Sequence, residues 1–495
     1  MNAGSPQSAG SATGAQRPLY QHPINIVGAG LAGALLAVLL ARRGFTVTLY
    51  DRRPDPRGTT AEGGRSINLA LAARGIRALE RAEVMSRIQP LLIPMRGRMV
   101  HDLSGTVTLQ AYGQREHEVI YSVSRGALNR VLIEEAARSN TVNMKFEQVC
   151  LGADPQRNRL RFHDRTNGKE YEVPLTSTIA TDGAGSAIRT SLAKTGYVAE
   201  REDWLDHDYK ELTIPPAAVN GTVATARHRE QGLDRSSLHI WPRGGFMLIA
   251  LPNTDGSFTA TLFLAGTGTN SFASLADAKA VHEFFHREFA DVVPLMPNLA
   301  AEFSAHPQGR LGTVHVTPWH IGERVLLLGD AAHAIVPFHG QGMNAAFEDC
   351  FVLDNLLDRH ERWEPLFAEF SGSRQPNTAA IAAMALENYT EMRDTVLDAA
   401  FVRRKSIAME LERRFPDRFI PRYSMVMFHP EIPYAEAQRR GALQEEILAQ
   451  LDSTRDPSSG AIDTTLAEKL VTERLARINV TVATAARFSA PASRT

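Results

Sequence analysis

The stretch from Ile24 to Asp51 constrains the fold more than any other part of the chain. INIV (24–27) is a short β-branched run of the kind a buried strand requires. It leads into Gly28-Ala29-Gly30-Leu31-Ala32-Gly33, then into a helical pattern through Arg43 that Gly44 caps. FTVTLY (45–50) is a second strand, ending at Asp51. Together these make a βαβ unit. The first glycine makes the tight turn, the second lets backbone approach a pyrophosphate, and the third lets helix and sheet close together. The helix N-terminus offers free N–H groups and partial positive charge to phosphates. An acid at the end of the second strand accepts ribose hydroxyls. The segment predicts dinucleotide binding, and the acid suits FAD or NAD alike.

Composition excludes several other classes. Among 495 residues, 54 Lys and Arg face 55 Asp and Glu, for a net charge of −1, so the basic surface that duplex nucleic acid demands is missing. Cys150 and Cys350 are the two cysteines, which rules out a disulfide framework or a Cys-rich zinc site. The sequence has no HExxH, no GxSxG elbow and no P-loop, and no metal site is expected. Residues 1–20 are rich in Ser, Gly and Ala without an apolar core, and read as a disordered lead-in rather than a secretory signal. No run approaches the roughly 20 apolar residues of a membrane span. The expectation is a soluble, cytoplasmic monomer or homodimer.

Two later segments separate FAD from NAD. One is TIATDGAGS (178–186), with Asp182-Gly183 after a strand-like run; the other is Gly329-Asp330-Ala331-Ala332-His333 after RVLLL (324–328). A nicotinamide dehydrogenase has no use for a second acid at another strand end. A flavin does, because its ribityl hydroxyls need an acceptor, and Asp330 suits that role. GQGMN (340–344) opens a helix, so its N–H groups point at whatever precedes it.

Those motifs, with RSINLALAARG (65–75), PMRGRMVH (94–101), LHIWPRG (238–244), LLGDAAHAIVPFHGQGMNAAFEDC (327–350), MALENYTEM (384–392) and FIPRYSMV (419–426), make the chain similar to the class A flavoprotein aromatic hydroxylases. Within that family it resembles the branch that hydroxylates kynurenine, over about residues 22–445. The apolar C-terminal anchor of that branch's membrane-bound members is missing. The resemblance implies tightly bound, non-covalent FAD, transient NADPH and molecular oxygen. It implies conversion of L-kynurenine to 3-hydroxykynurenine through a flavin C4a-hydroperoxide, with no side-chain base. Cofactor contacts are then expected from Gly28, Gly30, Leu31, Ala32, Gly33, Asp51, Arg52, Arg53, Ala70, Arg125, Cys150, Asp182, Gly183, Gly329, Asp330, Pro337, Gly342, Met343 and Asn344.

An amino-acid substrate with an aromatic ketone needs a carboxylate clamp and an apolar slot. Guanidinium binds carboxylate in bidentate fashion, and of the arginines in MRGRMVH the resemblance implies Arg98 as the clamp. Arg96 competes for the role, because period-two alternation puts both on one face. The resemblance adds Tyr112, Asn388 and Tyr423 as hydrogen-bonding partners. It places Leu238, Met247, Ile249, Leu251, Phe263 and Met392 in the slot, bordered by Pro337, Phe338 and His339. The expected fold is α/β: a Rossmann-like FAD domain with a parallel sheet (21–95, 115–200 and 310–375), an antiparallel substrate domain (96–114 and 201–309) and C-terminal helices (376–455), with 456–495 unplaced. Two rivals are a different flavin enzyme and a non-catalytic binder on the same fold. A halogenase is disfavoured because the four tryptophans, 204, 241, 319 and 363, never form WxW.

Overall fold

A parallel sheet carries every cofactor motif at one edge. In the computed structural model, which describes residues 22–58, 68–216, 233–456 and 460–478 with Leu19 and Ser458, strand Ile24–Val27 lies at the centre. It pairs in parallel with Val47–Tyr50 on one side and Thr178–Ala180 on the other. Val325–Leu327 and Val142–Lys145 extend the sheet in parallel, and the antiparallel pair His320–Ile321 closes one edge. The lead-in expected over residues 1–20 falls outside the described residues apart from Leu19, as do residues 65–67 of the third quoted segment.

Helix Leu31–Arg42 is buried continuously from Gly33 to Leu40. That follows from its sequence, GALLAVLL, which is apolar on all sides, as a helix enclosed in a core must be. It packs against helices Arg125–Ala136 and Gly342–Leu356. Ser124 caps the first of these, its hydroxyl accepting from the Ala127 N–H at 3.3 Å.

The second sheet has seven strands, in the order Gly309–Thr317, Ala199–Ile214, Phe258–Ala265, Met247–Pro252, Ser237–Pro242, Gly97–His101 and Val107–Ala111. All neighbours are antiparallel except Ser237–Pro242 beside Gly97–His101. Because strand Gly309–Thr317 pairs here, hydrogen bonding carries the substrate domain past the boundary expected at 310. Side chains alternate between two faces. One face seals a core with Trp241, Leu248, Ala250 and Leu262 against Phe285 and Phe289. The other face carries the slot residues. Helix Trp363–Thr390 runs unbroken through Pro376, so the boundary expected there lies inside a helix. In the segment left unplaced by sequence, helix Thr464–Arg474 packs on Leu411, Phe419, Ile447 and Leu451.

Candidate active site

The C-terminal ends of the parallel strands converge, and four of the five present a motif. Gly28 follows the central strand with φ +104°, and a Cβ there would lie 2.4 Å from the Thr181 carbonyl oxygen. A Cβ on Gly33 would lie 1.9 Å from the Gly28 oxygen. Gly30 differs: a Cβ would meet no atom within 4 Å, so this is where the backbone leaves room for a ligand. Leu31 and Ala32, half-buried, begin the helix behind it. Asp51 ends the neighbouring strand and is buried; its carboxylate accepts from the Ala29 N–H at 2.8 Å and from the Arg53 side chain at 2.9 Å. Burial opposes ionisation of Asp51, but the Arg53 hydrogen bonds and charge outweigh it and hold its pKa below the usual value. A small cavity of about 70 Å³ opens beside these two residues, lined also by Asn129, Ile133 and Phe146. Arg52 is exposed alongside.

Asp182 ends the third strand. One carboxylate oxygen accepts from the Ala187 N–H at 2.9 Å; the other is buried without a hydrogen-bond partner among the described residues. Burial raises its pKa. Gly183 beside it, at φ +84°, faces open space. Cys150 comes close enough that burial and the Asp182 charge push its thiol up to about 12, so it is an inert thiol rather than a nucleophile. Gly329 and Asp330 end the fourth strand. Asp330 is exposed and is the first residue of the short helix Asp330–His333, so its carboxylate can be reached by a ligand. Arg125, also exposed, is the first residue of its helix.

Helix Gly342–Leu356 starts with Gly342, Met343 and Asn344. The Asn344 side chain is wholly committed to protein: it accepts from the Ala72 N–H at 2.9 Å and donates to the Ala70 and Gly340 oxygens at 2.8 Å. Its role is therefore to hold the strand containing Ala70 against the helix start. Farther along this helix, a buried ion network that sequence reading missed fixes the Gly329 turn. Asp349, fully buried, accepts from the Gly329 N–H at 3.1 Å, from His333 at 2.5 Å and from Arg374 at 2.6 Å. Glu348 takes Arg374 and Arg74, each at 2.6 Å. Arg74 in turn lies 3.9 Å from the Tyr434 ring centre and donates to the Ile432 carbonyl. The adjacent acids of FEDC, set in an otherwise apolar helix, were the available signal, since buried acids require cationic partners.

The clamp assembles on the second sheet. Arg98 is 4% exposed, whereas Arg96 is exposed, so burial separates the two candidates that spacing could not. The Arg98 guanidinium lies 5.0 Å from the Tyr423 ring centre and 5.8 Å from that of Tyr112; these two rings stack on each other, and Tyr423 stacks on His339. Arg98 donates to the Asn388 side-chain oxygen at 3.5 Å and, unforeseen from sequence, to Glu391 at 3.0 Å. Burial opposes the Arg98 charge; Tyr423, Glu391 and Tyr112 more than offset it. Burial and nearby arginines push His339 down to about 3, so its imidazole is neutral.

Strand register sets the slot beside this clamp. Arg98 aligns with Leu238, which packs in one cluster with Leu251; farther along, Ile240 aligns with Ile249 and then Thr261, and Met247 lies opposite Phe263. Phe338 stacks on Tyr389 at 3.8 Å and meets Phe263 edge-on at 4.9 Å, with Met392 in the same cluster. Asn388 links clamp and slot by donating to the Phe338 carbonyl at 2.6 Å. Pro337 is exposed at the start of that turn. Ile240, Thr261 and Tyr389 enter only through register and stacking, which the linear sequence does not display. The structure thus gathers the expected slot residues onto one face, and among the described residues no group of side chains suits a metal.

A dinucleotide fits the strand edge: Gly30 and Gly183 leave room, Asp182 has an unpartnered buried oxygen, and Asp330 is exposed to a ligand's hydroxyls. Residues 21–365 match the family described as FAD binding domain, which defines the class as an FAD-dependent flavoprotein. The chain is 46% identical over 433 residues to kynurenine 3-monooxygenase of Stenotrophomonas maltophilia, covering 88% of this chain and 93% of that one. It is 45% identical over 459 residues to kynurenine 3-monooxygenase of Xanthomonas axonopodis pv. citri, covering 92% and 98%. The chain belongs to the kynurenine 3-monooxygenase family, and is a flavin-dependent monooxygenase. In fold it is similar to 2-methyl-3-hydroxypyridine-5-carboxylic acid oxygenase, with a TM-score of 0.59 at 18% identity over 75% of this chain and 93% of that one. It is likewise similar to PqsL of Pseudomonas aeruginosa, with a TM-score of 0.58 at 20% identity over 75% and 96%. No helix among the described residues is long and apolar enough to cross a membrane.

Proposed function

We propose that this protein hydroxylates L-kynurenine to 3-hydroxykynurenine, consuming NADPH and oxygen and releasing NADP⁺ and water. The observation that carries the reading is the buried Arg98, held by Asn388 and two tyrosine rings, in register with Leu238, which packs with Leu251. That is a carboxylate anchor one strand away from an aromatic slot. FAD, when bound, accepts electrons from NADPH and activates oxygen. The protein's own residues position and shield. Arg98 pairs with the substrate carboxylate, with Asn388, Tyr112 and Tyr423 satisfying its remaining oxygens. Met247, Ile249, Phe263 and Phe338 enclose the aryl ring and exclude water, which would divert activated oxygen to hydrogen peroxide. The ring's own amino group activates the carbon ortho to it, so no strong side-chain base is required, and neutral His339 is no exception. Asp51 would hold the adenosine ribose, Asp330 the ribityl hydroxyls, and the N-terminus of helix Gly342–Leu356 the flavin's pyrimidine edge.

The deciding assay follows NADPH oxidation by the purified yellow protein with and without L-kynurenine, with the product identified by mass. Kynurenine-dependent oxidation yielding a product heavier by one oxygen atom supports the reading. Oxidation that yields only hydrogen peroxide overturns it.

A further inference from the structure

The clamp already holds a carboxylate. Arg98 donates from one terminal nitrogen to Glu391 at 3.0 Å and from the other to Asn388 at the longer 3.5 Å, with the Tyr423 and Tyr112 hydroxyls beside it. Glu391 opens a π-helical turn, Glu391–Thr395, where one extra residue widens the helix; such turns recur at functional sites. The turn is tied down on its far side. The Gly244 N–H donates to the Arg393 carbonyl at 3.2 Å and the Gly245 N–H to the Asp394 carboxylate at 2.9 Å. Glu391 is therefore held against Arg98 by a built structure. Arg98, Glu391 and Lys405 all line one cavity of about 340 Å³ between the sheet and the C-terminal helices, and Glu391 is more exposed to it than Arg98. Lys405 belongs to helix Ala399–Arg414. Burial and Arg98 push its ammonium down to about 8 against the pull of Glu391, so the three charges feel one another. Of the other charged residues lining the cavity, Glu387 pairs with Arg422 and Glu412 with Arg115, and Arg404 and Glu445 complete the lining, so Glu391 is the carboxylate that both Arg98 and Lys405 feel.

We propose that Glu391 is the resident counter-ion of Arg98, which the substrate's carboxylate displaces, and that Lys405 receives the released Glu391. After the exchange Arg98 and Lys405 each hold one carboxylate. Without an acceptor for Glu391, two carboxylates would compete for a single buried guanidinium, so Lys405 is a positioning residue that acts through Glu391. The proposal rests on the reading of Arg98 as a carboxylate anchor.

The test is a double-mutant cycle on FAD-loaded enzyme: wild type, Lys405→Met, Glu391→Gln and the double variant. Ligand dissociation constants are read from perturbation of the flavin absorbance for L-kynurenine and for 3-benzoylpropionate, a carboxylate without amino groups. Lys405→Met should weaken both ligands about 10-fold when Glu391 is present and less than about 2-fold when it is Gln, a coupling within the range for contacting charges. Glu391→Gln alone should leave binding unchanged or tighter, since the competitor is gone. Equal losses from Lys405→Met in both backgrounds overturn the exchange. So does a 10-fold loss from Glu391→Gln with either ligand, which would make Glu391 a direct ligand. If kynurenine fails to bind but the cycle holds with benzoylpropionate, the exchange stands and the substrate assignment falls. If the wild type binds neither, both fall.

Discussion

The cofactor edge and the substrate clamp are built on opposite plans. The edge is largely backbone: glycines that let strand, turn and helix touch, and N–H groups at two helix starts. The clamp is four side chains from positions 98, 112, 388 and 423, brought together by the second sheet and the C-terminal helices. A surface made of backbone is damaged by adding atoms; one made of side chains is damaged by removing them. The two should therefore fail in different ways.

The largest effect should come from Gly33→Ala. A methyl 1.9 Å from the Gly28 oxygen and 2.5 Å from the Thr181 hydroxyl cannot be placed without moving backbone. The expected outcome is protein without flavin, or none soluble, measured as flavin absorbance per chain. Normal FAD content would break the contrast at its strongest point. Arg98→Ala should do the reverse: full FAD content, but kcat/KM for kynurenine lower by roughly 30- to 1000-fold, the loss of a charge-assisted contact of about 2–4 kcal/mol. An analogue lacking the carboxylate should differ little between wild type and variant, whereas a folding defect would depress both substrates alike.

Asp330→Ala sharpens the comparison, because Asp330 is a side chain serving the backbone-built edge. Its loss should weaken FAD retention by about 1.5–3 kcal/mol, seen as flavin released on dilution and gel filtration. Full retention would mean that backbone alone holds the cofactor. The smallest effect concerns Lys405. Its folded pKa of about 8 lies below the ordinary 10.5, so between those values the unfolded chain binds more protons than the folded one. Stability should then rise with pH across that window. Thermal midpoints measured from pH 7 to 10.5 should show a shallower rise in Lys405→Met than in wild type; identical slopes would mean the ammonium is better solvated than its burial indicates.

The same contrast explains what the sequence revealed. Gly28, Gly33 and Asp51 were legible because their chemistry is local: a strand, a turn and a helix start within one short segment. The family resemblance picks Arg98 over Arg96, but spacing alone does not, since their difference is burial under elements that arrive about three hundred residues later in the chain. Ile240 and Thr261 depended on strand register. Glu391 depended on a π turn, which has no dependable sequence signature, and so could not be foreseen as the partner of Arg98.

The ion network beneath the Gly329 turn sets an order of assembly. Arg74 lies near the beginning of the chain, yet it is 1% exposed and its partners are Glu348, the Val426 and Ile432 carbonyls and the Tyr434 ring. Glu348 supplies its anion early, but until residues 426–434 leave the ribosome Arg74 lacks the carbonyls that accept from it and the ring that covers it. A message truncated before codon 434 should therefore yield a chain with all its cofactor motifs but with Arg74, beneath the flavin-facing helix, left uncovered.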